Sequence, residues 1–365
     1  MSLSYGEIKQ KDINTADGLL PESFETYNLI EKDDIVLRLT DLQNDKRSLR
    51  SAISTQGGII TSAYVTIRPT KIYPKFLAYY LRSLDTAKVF YSLGSGLRQS
   101  LTWDDVRLIP VVVPPLEKQK QIVDQLDREL AEIDIAISDF RQVEKLIIDK
   151  QQAFIDSLFS QEPLHSKIRL RNLVTLNPPV DKYLRNTDQA ECTLLPMDSI
   201  QFFTPPKHGI TKKLKDLVSS YSYITPEDVA IAKVTPCFEN GKGVIGYDLS
   251  KPVFATTEVT VLRPDSELLN SRFLALFLKS SFFREPAIGS MTGAGGLKRI
   301  SEQQISNSRI PLPTLKQQEK IVDTNRVQID GMKSLIAEIN KSAHLLYERK
   351  NSLIDHYIFR KVESI

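Results

Sequence analysis

The sequence is poor in the residues from which catalytic centres and disulfide-stapled domains are built. Its two cysteines, Cys192 and Cys237, form neither a metal-ligand pair nor a disulfide framework, which fits a reducing cytoplasm. Four histidines, His165, His208, His344 and His356, are scattered and bring no acid/base or nucleophile constellation together. No apolar run approaches the roughly 20 residues of a membrane span, and Met1-Ser2-Leu3-Ser4 opens no signal peptide. The expectation is a soluble, cytoplasmic chain with no membrane partner. A strong basic excess is also lacking. Net charge is +3, with 19 basic and 15 acidic residues in 160–310 but 6 and 10 in 111–159. Nucleic-acid binders usually show more, so a DNA ligand would require other subunits to neutralise much of its phosphate.

Two apparent cofactor signatures also fall short. Asn177-Pro178-Pro179-Val180 is similar to the Asn-Pro-Pro-aromatic tetrapeptide of amino-methyltransferases, but valine cannot stack on a flipped base. No glycine-rich strand-to-helix turn for S-adenosylmethionine precedes it. Gly293-Ala294-Gly295-Gly296 has the spacing of neither a dinucleotide loop nor a Walker motif. No catalytic residue, cofactor or metal is expected.

What is present is a duplication. The stretch Leu116 to Phe159 is written again from Leu315 to Phe359, with Leu-Glu-Lys-Gln-Lys-Gln-Ile-Val-Asp answered by Leu-Lys-Gln-Gln-Glu-Lys-Ile-Val-Asp. Steps of three and four residues give a heptad seam in each copy. In the first it includes Leu126, Ile133, Ile137, Phe140, Ile147 and Phe154, and in the second Ile329, Ile336, Ile339, Leu346 and Leu353. Neither stretch contains proline. At about 1.5 Å per residue each helix is roughly 65 Å long, and its stripe needs a partner along that length. One module lies between the copies, and domain termini often lie close together. The two helices should therefore pack as an antiparallel coiled coil.

The repeat extends into the flanking modules. Phe76 to Ser83 answers Phe273 to Ser280 as a short helix, Val65 to Pro69 answers Val259 to Pro264 as a strand, and Asp34-Ile35-Val36 answers Asp228-Val229-Ala230. Further short strands are predicted at Val229 to Val234, Gly243 to Tyr247 and Thr257 to Leu262. The fold class is α+β: a module of mixed strands and helices followed by a long helix, twice over. The boundaries are 1–110 for the first module, 111–160 for the first helix, 161–311 for the second module and 312–365 for the second helix. The first module has no counterpart to Leu170-Arg171-Asn172-Leu173-Val174-Thr175-Leu176-Asn177: either it begins elsewhere, on another chain or in a lost segment, or it functions without that part.

Candidate ligand contacts are polar and basic residues on expected loops. They are Lys212, Lys213, Lys233, Asn240, Lys242, Lys298 and Arg299 in the second module, and Arg47, Arg50, Arg98 and Gln99 in the first. Such side chains read guanine and adenine edges and grip phosphates. Lys298-Arg299 and Arg98-Gln99 both follow Gly-rich turns at equivalent points, where backbone can approach a ligand closely.

With this order of parts, Ile109-Pro110 running to Pro-Pro-Leu-Glu-Lys-Gln-Lys-Gln-Ile-Val-Asp and then both again, the chain resembles the specificity (S) subunits of type I restriction-modification enzymes. The resemblance implies a non-catalytic subunit in which each module reads one half of a bipartite double-stranded DNA target. It also implies a helical pair that sets the spacer and docks two adenine methyltransferase (M) subunits, with restriction/translocase (R) subunits joining for cleavage. The alternative is a coiled-coil scaffold or adaptor that binds only other proteins.

Overall fold

The computed structural model describes residues 1–4, 6–10, 23–42, 49–93, 100–160, 167–181, 190–246, 249, 251–294 and 296–360. It divides into two units: residues 1–141 with 339–365, and residues 142–338.

In the first unit the strands are β1 (Ser2–Ser4), β2 (Glu7–Lys9), β3 (Asn28–Ile30), β4 (Ile35–Leu37), β5 (Ser51–Ile53), β6 (Gly58–Ile60) and β7 (Val65–Ile67). They form a β1-β2 hairpin, a β3-β6 pair and a three-stranded antiparallel sheet in the order β5-β4-β7. Helices α1 (Pro74–Thr86), α2 (Val89–Leu93) and α3 (Trp103–Val106) follow, and then the long α4 (Leu116–Ser160). Proline at the start of α1 costs little, because the first N–H of a helix has no partner within the helix.

The second unit contains β8 (Ile168–Arg169), β9 (Val174–Leu176), β10 (Glu191–Leu195), β11 (Ile210–Lys213), β12 (Ser222–Ile224), β13 (Val229–Ala232), β14 (Gly243–Ile245), β15 (Val253–Ala255) and β16 (Val259–Pro264). After these come α5 (Ser271–Lys279), α6 (Ser281–Gly289), α7 (Glu302–Asn307), β17 (Arg309–Ile310) and the long α8 (Leu315–Asp355), whose last turns belong to the first unit. Two four-stranded sheets form, in the orders β11-β10-β15-β12 and β14-β13-β16-β9, and β8 pairs with β17.

The repeat is visible in the bonds that hold each unit. Asp34 starts β4 by accepting the Glu31 N–H at 2.8 Å and grips Arg68 with both oxygens at 2.8 Å. Asp228 starts β13 in the same way: it accepts the Thr225 N–H at 2.7 Å and holds Arg263 at 2.7 and 2.9 Å. The pairing ties the turn before one strand to the strand beside it, and the Arg68 guanidinium holds the Asp34 carboxyl below the usual carboxylate range.

Each module closes over parts of both long helices. In the first unit, Ile122, Val123, Leu126 and Leu130 of α4 share one core with Phe76 and Tyr80 of α1 and with Ile354, Tyr357 and Ile358. In the second, Val322 and Ile329 of α8 share a core with Phe273 and Phe277 of α5 and with Ile155 and Phe159 of α4. Serines one position apart in the repeat, Ser83 in α1 and Ser281 at the start of α6, bond to equivalent aspartates of the long helices. Ser83 donates to Asp355, and Ser281 donates its N–H and hydroxyl to Asp156 at 2.7 and 2.8 Å.

The helices pair antiparallel. Within the first unit Glu129 meets Tyr357, Asp134 meets Lys350 at 2.6 and 2.8 Å, and Arg141 meets Tyr347, so one number rises as the other falls. Of the seam residues, Leu126, Ile133, Ile137, Ile329 and Ile339 are buried. Phe140, Ile147, Phe154, Ile336, Leu346 and Leu353 are half-buried.

Candidate nucleic-acid interface

Strand β13 ends at Ala232, and the chain continues through Lys233, Val234 and Thr235 with segment 292–300 laid along it. Lys233 accepts the Ile300 N–H at 3.0 Å, Thr235 donates its N–H to Lys298 at 2.9 Å, and Thr292 and Arg299 exchange backbone bonds at 3.1 and 2.8 Å. The Thr235 hydroxyl donates to the Gly296 carbonyl and accepts the Lys298 N–H, both at 2.9 Å. Gly296 takes φ +79°, a left-handed conformation in which a side chain is strained. The fold thus fixes the backbone of Lys298 and Arg299 beside Lys233.

The side chains differ in what they can still do. Lys298 is exposed. Arg299 forks onto Glu258, with Nε at 3.1 Å and Nη2 at 3.0 Å from its two oxygens. The Arg299 guanidinium holds the Glu258 carboxyl below its usual range, with a smaller contribution from Lys233. Two cations, Arg299 and Lys233, therefore act on one carboxylate, and the Arg299 guanidinium is held by it. The carboxylate was not legible in the sequence, because it lies 41 positions from its partner and only the sheet joins them.

The turn between β13 and β14 presents Asn240, which is exposed, while the Lys242 ammonium donates to the Met197 carbonyl at 2.8 Å. Lys212 and Lys213 belong to the other sheet. They lie on edge strand β11 rather than in a loop, with Lys213 exposed and the Lys212 ammonium 5.7 Å from the Tyr221 ring centroid. Lysines on an edge strand deter pairing with foreign strands, which alone accounts for their presence.

In the first unit Arg47, Arg98 and Gln99 lie outside the described residues. Arg50 is corrected. It is fully buried, and its guanidinium donates to the carbonyls of Thr40 at 3.1 Å and Asp41 at 3.3 Å and to the Tyr91 hydroxyl at 3.3 Å. A side chain so enclosed holds the loop at 40–41 and is not available to DNA. Asn177 is also structural: its side chain accepts the Val261 N–H at 3.0 Å and donates to Glu302 at 2.5 Å. Among the described residues no group of three His, Cys, Asp or Glu side chains could hold a metal, and no helix is long and apolar enough to cross a membrane.

The chain is 36% identical over 155 residues to the type I restriction enzyme EcoAI specificity subunit of Escherichia coli, and 35% identical over 159 residues to the EcoEI specificity subunit of the same organism. Those matches take in 42% and 43% of this chain but span only 26% of the length of each relative. A solved chain, from work described as the structural basis of complex assembly and conformational transition of the type I R-M system, superposes with a TM-score of 0.64 at 18% identity. The superposition covers 92% of this chain and 84% of that one. At that identity it shows the fold alone. The family model for the type I restriction modification DNA specificity domain matches residues 20–139 and again 172–341, and this chain therefore belongs to that family.

Proposed function

We propose that this chain is the non-catalytic DNA-recognition subunit of a type I restriction-modification complex, reading a bipartite duplex target. Residues 1–110 and 161–311 act as the two recognition modules, and 111–160 and 312–365 as the helices that set the spacer and dock two M subunits, with R subunits joining for cleavage in the cytoplasm. The observation that carries the reading is the doubled match to a DNA specificity domain, each copy ending in a long helix. In the second module Lys233, Lys298 and Asn240 serve the backbone and groove edges, Arg299 serves as a base reader once released from Glu258, and Lys212, Lys213 and Lys242 add further phosphate contacts. In the first module Arg47, Arg98 and Gln99 do the equivalent work.

The test is selection of bound sites from random duplexes by the chain assembled with its M subunits, at stated salt. A split consensus with a fixed gap is the expected result. Adding four residues to both long helices keeps their seams nearly in phase and lengthens each by about 6 Å, close to two base pairs at roughly 3.4 Å each. The gap should grow. Selection of no sequence at all would support the protein-only scaffold instead.

A further inference from the structure

Corresponding corners of the two units are lined with different chemistry. In each, a short helix packs near the start of a long one, α1 on α4 and α5 on α8. The repeat answers Lys75 with Arg272, Tyr79 with Leu276, Asp127 with Arg326 and Asp134 with Lys333. In the first unit these charges are matched. Lys75 and the Tyr79 hydroxyl both donate to Asp127 at 2.5 Å, and Lys350 donates to Asp134 at 2.6 and 2.8 Å. In the second unit the place of each aspartate holds a cation, so neither ion pair has its acid.

A cavity of about 280 Å3 lies at that corner of the second unit, and its lining belongs to that unit alone. Leu276 of α5, Ile329 of α8 and the Phe203 ring give it apolar surface. Its charged lining is Arg272, Arg326, Lys333 and Asp330, three cations to one carboxylate. Arg326 and Lys333 share that carboxylate, with Lys333 Nζ at 3.0 Å and Arg326 Nε at 3.6 Å from its oxygens. Lys333 also donates to the Phe203 carbonyl, and its ammonium lies 5.6 Å from the Phe203 ring centroid. Phe203 takes φ +60°, a left-handed conformation that a bulky side chain rarely adopts. Such backbone persists where its surroundings over-determine it, and it clusters where ligands are held. Here it sets an aromatic ring beside a lysine in the lining of a cavity.

We propose that this cavity binds a small phosphomonoester with an aromatic body. The three terminal oxygens of the phosphate accept from cations that arrive from two helices, Arg326 and Lys333 of α8 and Arg272 of α5, whereas a carboxylate offers only two oxygens. The body lies on the Phe203 ring and the aliphatic surface of Leu276 and Ile329, and the volume admits little more than one ring system. The first unit has no such site, because Asp127 and Asp134 already satisfy its cations and would repel the anion. The inference does not depend on the DNA-reading proposal, and its test contains no DNA.

The probe is phenyl phosphate, titrated into the full chain at fixed ionic strength and followed by isothermal titration calorimetry. Saturable binding at one site per chain is expected, and inorganic phosphate, which lacks the ring, should bind about tenfold more weakly or worse. Arg326→Asp gives the second unit the residue type that the first has at this position. Arg326 is exposed and its bond to Asp330 is a long surface pair, so this variant should keep the parent's unfolding midpoint. Its affinity for phenyl phosphate should fall about tenfold or more. Phe203→Gly suits the positive φ and removes the ring, so it should erase the preference for phenyl phosphate over inorganic phosphate. The proposal is overturned by any of four results: no saturable binding, equal affinity for inorganic phosphate, benzoate bound as tightly as phenyl phosphate, or affinity indifferent to Arg326→Asp. The second result would mean that the cations hold an adventitious ion only, the third that phosphate is not the group recognised, and the fourth that the probe binds elsewhere.

Discussion

Gln119 and Gln318 hold the same position in the two units and share two bonds, to which Gln318 adds a third. The Gln119 side chain accepts the Tyr73 N–H at 2.8 Å and donates to the Pro114 carbonyl at 2.7 Å. Gln318 accepts the Asn270 N–H at 2.8 Å and donates to the Pro313 carbonyl at 2.8 Å and the Leu268 carbonyl at 2.9 Å. Each glutamine thus ties the proline corner that opens a long helix to the residue that caps α1 or α5. A buried amide that replaces water for two backbone groups in one copy and three in the other explains why this spacing after proline recurs in both.

Gln318→Ala would leave a buried donor and two carbonyls without partners. The cost should be about 2–4 kcal/mol, seen as a lower denaturant midpoint for the second unit. Gln119→Ala should act similarly on the first. A midpoint shift of less than about 0.5 kcal/mol for Gln318→Ala would mean that water replaces the amide without loss.

A charge placed in the helix seam tests the pairing. Ile137 is 3% exposed and Ile336 half-buried, so the two positions should respond unequally. Ile137→Asp should cost about 3–5 kcal/mol, because the new carboxylate finds no water, and Ile336→Asp no more than about half of that. Thermal melts of the two variants decide it, and equal losses would contradict the difference in burial.

The seam, the duplication and the α+β alternation were legible because each rests on periodicity or on the identity of residues in order, which survive without knowledge of contacts. The bonding partners were not. Arg50 reads as a surface cation by type, and only the fold encloses it among Thr40, Asp41 and Tyr91. Lys212-Lys213 reads as loop from its polarity, but an edge strand with one face in water tolerates that polarity. Glu258 carried no signal, since nothing local marks a carboxylate that will meet Arg299.

Lys279 gives a pH dependence with a definite sign. Burial, with Arg284 and Lys333 nearby, pushes its ammonium down to about 8. In the unfolded chain a lysine titrates near its ordinary value of about 10.4. Between those two values the unfolded chain holds more protons, so the stability of this unit should rise with pH from about 8 to about 10.4 and lose this dependence below about 8. Lys279→Met keeps the apolar stem, removes the charge and should raise the unfolding temperature at pH 7 by roughly 2–4 °C. The gain should shrink as pH climbs toward 10. Equal gains at pH 7 and pH 10 would assign the effect to packing.

The bond between Arg299 and Glu258 makes the proposed DNA roles of the second module testable. Lys298 is exposed, so in its proposed role as a phosphate contact Lys298→Ala should weaken binding to every duplex alike and reduce the salt slope by about one unit. Arg299 should read a base only if leaving Glu258 is compensated by a bidentate guanine, so Arg299→Ala should lose about 1–3 kcal/mol on the selected half-site and far less on an unrelated duplex. Glu258→Gln separates the two roles. It weakens the hold on Arg299 and removes a negative charge beside Lys233, so it should tighten binding to unrelated DNA and narrow the gap between selected and unrelated sites. The measurement is affinity against salt for both duplexes, made on the complex with M subunits. If Glu258→Gln leaves unrelated binding and the slope unchanged while Arg299→Ala also does nothing, the turn at 293–299 faces solvent or a partner protein.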